Sequence, residues 1–435
     1  MVGRIGDRSI KWAAVVWIAV LVVAVAIWTF IPSQVVGWDL DVISRAIASL
    51  RAGHDPYLDS ILAQQDFFSH PLASPDAAPP FSYVYSPITL PLLQLIGHAP
   101  MTVAGTIYWI IYALGGLVIL WLGLRLAHLP ERRVFAVLAP ALLFFPGLLE
   151  SGILVSGNVA FPLYGCLFAG AWIGWRRRNW TWFYAAALLA SCFKPPMLSV
   201  LAIPVFSERK LLLPSCLVAA LGGGLFCLQP MLFPAEFKHF MQALNMMFNL
   251  QHDYSGSPAG LVAGFFYGGA RFRPAFILVY LLFSLPVCWV LRTLSLRYFD
   301  GELSFRQWVP VMMLGVLLLN PRINEYDAAA VTIPMALVAW RVFSRWQNVS
   351  RAALTLSLVF LAANTFVALT SSVGPVMWKC TQCLMLLGLF WSGSGLLFSE
   401  LRHHRALRDL EPAQHFAGVG LRDVLPDMAI TAKTR

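Results

Sequence analysis

The feature that most limits what this chain can become is its series of long apolar runs. The first, about residues 10–31, follows Arg4 and Arg8 and carries no charge after Lys11. A helix of that length crosses a hydrocarbon core of ~30 Å. Similar runs lie near 103–124, 134–149, 157–175, 211–231, 274–293, 307–320, 327–343, 352–372 and 375–398. In lipid a helix satisfies its own backbone hydrogen bonds, and an open strand does not. The runs are continuous rather than alternating, which argues against an outer-membrane barrel. Composition agrees: 59% of the residues are hydrophobic and 12% are charged, against ~25% charged in a soluble domain. A wholly soluble enzyme, a disordered chain and a small disulfide scaffold are excluded. The expected fold class is an all-α polytopic membrane protein.

The net charge of +10 reads as topology. Most Lys and Arg fall in short segments between apolar runs, as the positive-inside bias requires. No basic stripe interleaves with aromatics, so no nucleic-acid partner is expected. The N-terminal run has no obvious small-residue cleavage site and reads as a retained anchor. The stretch 180–206 is interrupted by Pro195 and Pro196 after Lys194. Reading it as two short helices keeps Arg209 and Lys210 inside and gives about twelve spans with both termini cytoplasmic. Residues 1–398 then form the transmembrane domain, with a first outer loop at 32–102 and a second at 232–273. Residues 399–435 form a polar, partly disordered cytoplasmic tail. Internal repeats of the kind that build many transporters are not evident. Seven cysteines are scattered; the one CxxC, Cys380 and Cys383, has no second pair or nearby His and reads as structural.

In the first outer loop, Trp38-Asp39-Leu40-Asp41 opens an amphipathic helix whose apolar face is read as Leu40, Ile43, Ile47 and Leu50, ending at Gly53. Asp55-Pro56 starts another helix. The apolar stretch 88–97 is too short to span. In the second loop Pro234 begins an amphipathic, interfacial stretch. The glycine run Gly222 to Gly224 is expected to let helices pack closely. On this topology Asp39, Asp41, Glu150, Asn158, Lys194, His252, Asp253, Arg322, Glu325 and Asp327 all lie at outer helix ends or in outer loops. Unpaired charge is expensive in apolar surroundings, so their convergence points to a reaction site at the outer interface.

Several segments carry a family likeness in order: Asp39; Gly53 with Asp55-Pro56-Tyr57; Tyr83-Val84-Tyr85-Ser86-Pro87; Ser156-Gly157-Asn158; Phe193-Lys194-Pro195-Pro196; and Asn320-Pro321-Arg322. The ordered set resembles glycosyltransferase family 87, the mannosyltransferase-like group of GT-C membrane glycosyltransferases, over about residues 10–345. The likeness departs from the family at Ile43 or Ser44, where a tyrosine is common, and at Gly157-Asn158, where Gly-Gln is common. The resemblance implies a GT-C-like bundle in the plasma (inner) membrane and a polyprenyl-phosphate sugar donor, most readily mannose. It implies inverting transfer to a glycan or glycolipid acceptor on the periplasmic face, with Asp39 as the base.

Such a transfer needs a carboxylate to take the acceptor's proton and cations to meet the leaving phosphate. Asp39 is the first candidate base, although it also suits a helix cap. Asp41 is the reserve. Together they could hold a divalent ion, but a cation site needs more oxygen ligands, so no metal or other cofactor is expected. Lys194 either snorkels or binds the lipid phosphate. Arg322 either binds phosphate or pairs with Glu325. His252 and Asp253 are candidates for phosphate or sugar contact, or are simply solvated. Glu150 and Asn158 bind substrate or bond to each other at helix ends. Tyr57, Tyr83 and Tyr85 stack on sugar or are interfacial aromatics. The rival readings are a transporter or lipid-sugar flippase, with ionisable residues at the midplane, and a non-catalytic assembly protein.

Overall fold

The computed structural model describes residues 37–69, 81–128, 131, 156–249, 255–267, 273–346 and 375–419. The runs expected at 10–31, 134–149 and 352–372 lie outside these residues, as do Glu150, His252 and Asp253. Among the described residues the chain is helical, with no strand. Four helices are long and apolar enough to cross a membrane: Met101–Leu126, Arg209–Leu232, Ala275–Phe299 and Gln382–His403. Pro87–Ile96, Thr181–Phe193, Pro195–Ser207 and Phe305–Leu318 are shorter apolar helices. The fold class is therefore an all-helical membrane protein, and the described residues hold fewer full-length spans than the expected bundle.

Helices α1 (Trp38–Arg51) and α2 (Pro56–Ser69) build the first loop. Asp55 caps α2, accepting from the backbone N–H of Tyr57 at 2.8 Å. Its other oxygen lies 2.6 Å from His239 Nδ1, which ties α2 to the amphipathic helix of the second loop. A short turn of 3-10 helix, Pro87–Thr89, leads into α3 (Leu90–Ile96), and α4 (Met101–Leu126) follows. Next come α5 (Ala160–Arg177), α6 (Thr181–Phe193), a 3-10 run Pro195–Leu201 and α7 (Ala202–Ser207). The expected break in 180–206 is present. A residue before proline is driven out of the helical region, and Lys194 has φ −133° and ψ 91°.

Helices α8 (Leu212–Leu232) and α9 (Pro234–Asn249) are followed by α10 (Pro258–Tyr267), α11 (Arg273–Phe299) and α12 (Phe305–Leu318). The run expected at 327–343 is split into α13 (Glu325–Ala330) and α14 (Thr332–Trp346). The last helix, α15, runs from Pro375 to Val419. It continues past 398 into the segment read as a tail. A helix already formed in a span extends by one hydrogen bond per added residue without a new nucleus.

Ion pairs mark both ends of the bundle, with Arg45 and Asp41 3.0 Å apart at the end that holds α1. At one end arginines pair with carboxylates: Arg178 with Glu208 at 2.9 Å, Arg341 with Glu131 at 2.8 Å and Arg345 with Glu400 at 3.6 Å. The opposite end gathers α1–α3, α9, the start of α5 and Lys194.

Close packing of α4 on α5 positions that second end. A Cβ placed on Gly165 would lie 2.6 Å from the Cα of Gly115, and one on Gly115 would lie 2.7 Å from the Cα of Pro162. Backbone meets backbone there, so the helices touch only because both residues lack side chains. In the run Gly222 to Gly224 only Gly222 plays the expected part, against Leu198 and Ser191; a Cβ on Gly223 or Gly224 would meet open space. Gly165→Val is expected to force α4 and α5 apart and cost about 1–3 kcal/mol. An unfolding midpoint in detergent equal to wild type would contradict this contact.

Candidate functional site

Helix α1 begins after Gly37 and presents a buried stripe of Asp39, Val42, Ala46 and Ile47. Asp39 is thus in phase with the apolar face, three residues before Val42 and seven before Ala46. The stripe expected on Leu40 is displaced by one position, because Leu40 is half-buried and Val42 and Ala46 face inward. Asp39 makes no cap: the N-cap is Gly37, without a side-chain cap bond. Asp41 falls on the opposite face, exposed, and pairs with Arg45 at 3.0 Å. The two acids therefore point apart, and Asp41 is not part of the buried cluster. Among the described residues no three His, Cys, Asp or Glu side chains come together as metal ligands.

Asn158 connects Asp39 to Lys194. Its Oδ1 accepts from Lys194 Nζ at 2.9 Å and from the backbone N–H of Ala160 at 2.9 Å. Two donors on that side leave its NH2 to donate to Asp39 Oδ2, and it does so. The network itself assigns the amide orientation. Asn158 reaches this place because Gly157 turns the chain at φ +73°, where a Cβ would sit 3.0 Å from Leu40 Cβ. The Tyr108 hydroxyl donates to the Gly157 carbonyl and holds the turn against α4.

The other carboxylate oxygen accepts from the Tyr85 hydroxyl at 3.3 Å, and the Tyr326 side chain also hydrogen-bonds Asp39. The Lys194 ammonium lies 5.2 Å from the centre of the Tyr326 ring and 5.9 Å from that of Tyr85. Both rings face a cation, which favours keeping it there. Trp38 lies between Phe81, at 4.7 Å, and Tyr326, at 6.3 Å.

The segment 81–86 is pinned so that Tyr85 meets Asp39. The Tyr57 hydroxyl donates to the Tyr85 carbonyl at 2.5 Å. Tyr83 Oη and Thr89 Oγ1 are 2.7 Å apart. Ser86 Oγ donates to Gln229 Oε1 on α8 at 2.7 Å. Tyr57 is 0% exposed, which corrects its expected role in stacking on sugar; it is a support for Tyr85. Tyr85 is buried too, and its part is a hydrogen bond to Asp39 rather than an open stacking face.

Arg322 is half-buried on the segment that leads to Tyr326. Its backbone N–H donates to Asn320 Oδ1 at 3.0 Å, and its Nη2 lies 3.7 Å from Met247 Sδ at the end of α9. The alternative pairing with Glu325 falls on a side chain outside the described set. Asp327 has a structural place: it caps α13 and accepts from the Tyr164 hydroxyl at 2.8 Å. The structure thus joins Asp39, Asn158, Lys194 and Tyr85 in one hydrogen-bonded set and leaves Asp41 and Tyr57 out of it. Arg322 is linked to the set through its own segment. Tyr326, Tyr108 and Gln229 were not singled out from the sequence. Tyrosines are common at any membrane interface, so type and position alone did not mark them.

Burial pushes the Asp39 carboxyl above its ordinary 3.8, against the pull of Lys194 and the hydrogen bonds from Asn158, Tyr85 and Tyr326. Burial also holds the Tyr85 hydroxyl well above its ordinary value, so Tyr85 stays a donor. The result is a carboxylate able to take a proton, with an ammonium one amide away. No protein-family model and no curated sequence matches this chain.

A raised carboxyl stabilises the fold below about pH 4 and loses that contribution as pH rises through its folded value. Asn158→Leu removes one of the bonds that lower it. The variant's stability should therefore fall more steeply than wild type between pH 4 and 8. Parallel curves in a thermal-unfolding series would show that Asn158 does not carry the Asp39 charge.

Proposed function

We propose that this chain is a GT-C-type membrane glycosyltransferase that moves a hexose, most readily mannose, from a polyprenyl-phosphate donor to a lipid-linked or periplasmic glycan. The observation that supports it is a buried carboxylate and a lysine ammonium sharing one asparagine amide, beside two tyrosines at the end of the bundle built by α1–α3. On this reading that end faces away from the cytoplasm, and the bilayer is the plasma (inner) membrane.

The step balances as follows. Asp39 accepts the proton of the acceptor hydroxyl. The acceptor oxygen forms a bond to the anomeric carbon from the face opposite the phosphate. The anomeric carbon–oxygen bond to phosphate breaks, and its electron pair leaves with the polyprenyl phosphate. Lys194 meets the charge that develops there, and Arg322 adds a planar cation suited to phosphate. Asn158 is a positioning residue. It bridges the base and the cation, donating to one and accepting from the other. The donor's chain stays in lipid, and its head reaches the site beside α4 and α6.

Reconstituted protein and a panel of polyprenyl-phosphate sugars test this. Asp39→Asn should lower turnover by about a hundred- to ten-thousand-fold, with donor binding kept. In wild type the acidic limb of the pH–rate profile should fall above 3.8, since the carboxyl is raised, and activity should disappear as pH drops through that limb. Full turnover by Asp39→Asn would remove Asp39 as the base. Movement of the lipid-sugar across the bilayer without a new glycosidic bond would favour a flippase.

A further inference from the structure

At the end of the bundle where Arg178 meets Glu208, a cavity lies between α4, α5, α7 and α12. It encloses about 630 Å³, its open mouth included. Ile119, Phe168, Ile203, Val309 and Met312 line it, and all five are buried. The wall hydroxyl of Ser207 is already given to Met312 Sδ at 3.8 Å, and the wall indole of Trp180 to Glu208 Oε1 at 3.1 Å. Such a wall suits a hydrocarbon chain and offers little to a sugar or a peptide. Trp172 and Trp175 stand at the mouth, half-buried. Trp175 is fixed there: its ring centre is 4.0 Å from that of Phe305, and its indole N–H donates to the Tyr298 hydroxyl at 3.0 Å.

Trp172 lines both this cavity and an outer hollow that it shares with Ile173, Arg176 and Arg177. The Arg176 guanidinium lies 5.7 Å from the centre of the Trp172 ring. On the neighbouring helix Arg125 lies 5.1 Å from the centre of the Trp121 ring, and the two indoles are 5.9 Å apart. All three arginines are exposed, and none has a carboxylate partner among the described residues. Leu117 and Leu114, one and two turns before Trp121 on its face of the spanning helix α4, are 60% and 55% exposed. That face therefore looks onto lipid. We propose that this is a binding site for one anionic phospholipid, with an acyl chain in the cavity and the phosphate on Arg125 and Arg176. A guanidinium matches phosphate oxygens with planar, paired donors. Indoles suit the border between chain and headgroup. A zwitterionic headgroup carries its own cation, so arginines without a carboxylate favour a lipid of net negative charge. The site is separate from Asp39 and does not rest on the transferase reading.

The test is native mass spectrometry of the full chain in detergent, with phosphatidylglycerol, phosphatidylcholine and glycerol 3-phosphate as probes. Wild type should hold one phosphatidylglycerol about tenfold more tightly than phosphatidylcholine. Arg125→Gln combined with Arg176→Gln should weaken phosphatidylglycerol about thirtyfold, the product of two similar increments. Arg292→Gln combined with Arg402→Gln removes two exposed arginines elsewhere and should leave the affinity unchanged. Glycerol 3-phosphate, a head without a chain, should bind far more weakly than the lipid. A phosphatidylglycerol with a photoreactive group at the end of one chain should crosslink to Ile203 or Met312 in wild type, a readout that needs no variant to fold. Equal affinity for the two lipids overturns the proposal, as does an equal loss in both arginine pairs. So does glycerol 3-phosphate binding as tightly as the lipid, or chain-end crosslinks confined to outward residues such as Leu117.

Discussion

The asparagine amide between Asp39 and Lys194 is the constraint on which this end of the molecule depends. A buried carboxylate needs a compensating cation or hydrogen bonds, because an uncompensated charge in a low-dielectric setting is costly. Here one amide meets both. Asn158 offers its carbonyl to the cation and its NH2 to the anion, so each group keeps its charge and its place. Everything that positions Asn158 thereby positions both ends: the left-handed turn at Gly157, the Tyr108 hydroxyl on its carbonyl, and the contact of α4 with α5 at two glycines.

Around that bridge the structure is arranged in layers of decreasing specificity. Tyr85 and Tyr326 complete the carboxylate's hydrogen bonds and turn their rings toward the lysine. Tyr57, Thr89 and Gln229 then hold the segment that carries Tyr85, through bonds that reach α2 and α8. Asp55 and His239 join α2 to α9. Polar groups at this end are mostly bonded to one another rather than left to water, as a low-dielectric setting demands.

Much of the site was legible as residue types, and less of it as geometry. Asp39, Asn158 and Lys194 stood out as polar residues at ends of apolar runs, and the Lys194 break followed from two prolines. The burial of Asp39 was also readable in hindsight, since it is in phase with Val42 and Ala46. A stripe that starts at Leu40 lies one residue away from this face. Asp41 looked equivalent by type, yet a step of two residues on a helix turns a side chain about 200°, so it reached Arg45 and solvent instead. Tyr57 was legible as an interfacial aromatic but not as a buried prop, because its partner, the Tyr85 carbonyl, is 28 positions away.

The sequence by itself determined the solvent this chain lives in, the helical class that solvent enforces, and the break at Lys194. Each of these follows from composition, charge or local backbone chemistry within a few neighbouring residues. Tertiary structure decided which polar groups meet. Asn158 lies 119 positions from Asp39 and 36 from Lys194, and the pitch of an individual helix says nothing about distances of that kind. They are set by how closely two glycine faces approach and by which side of a loop helix turns inward, and those are properties of the packed whole.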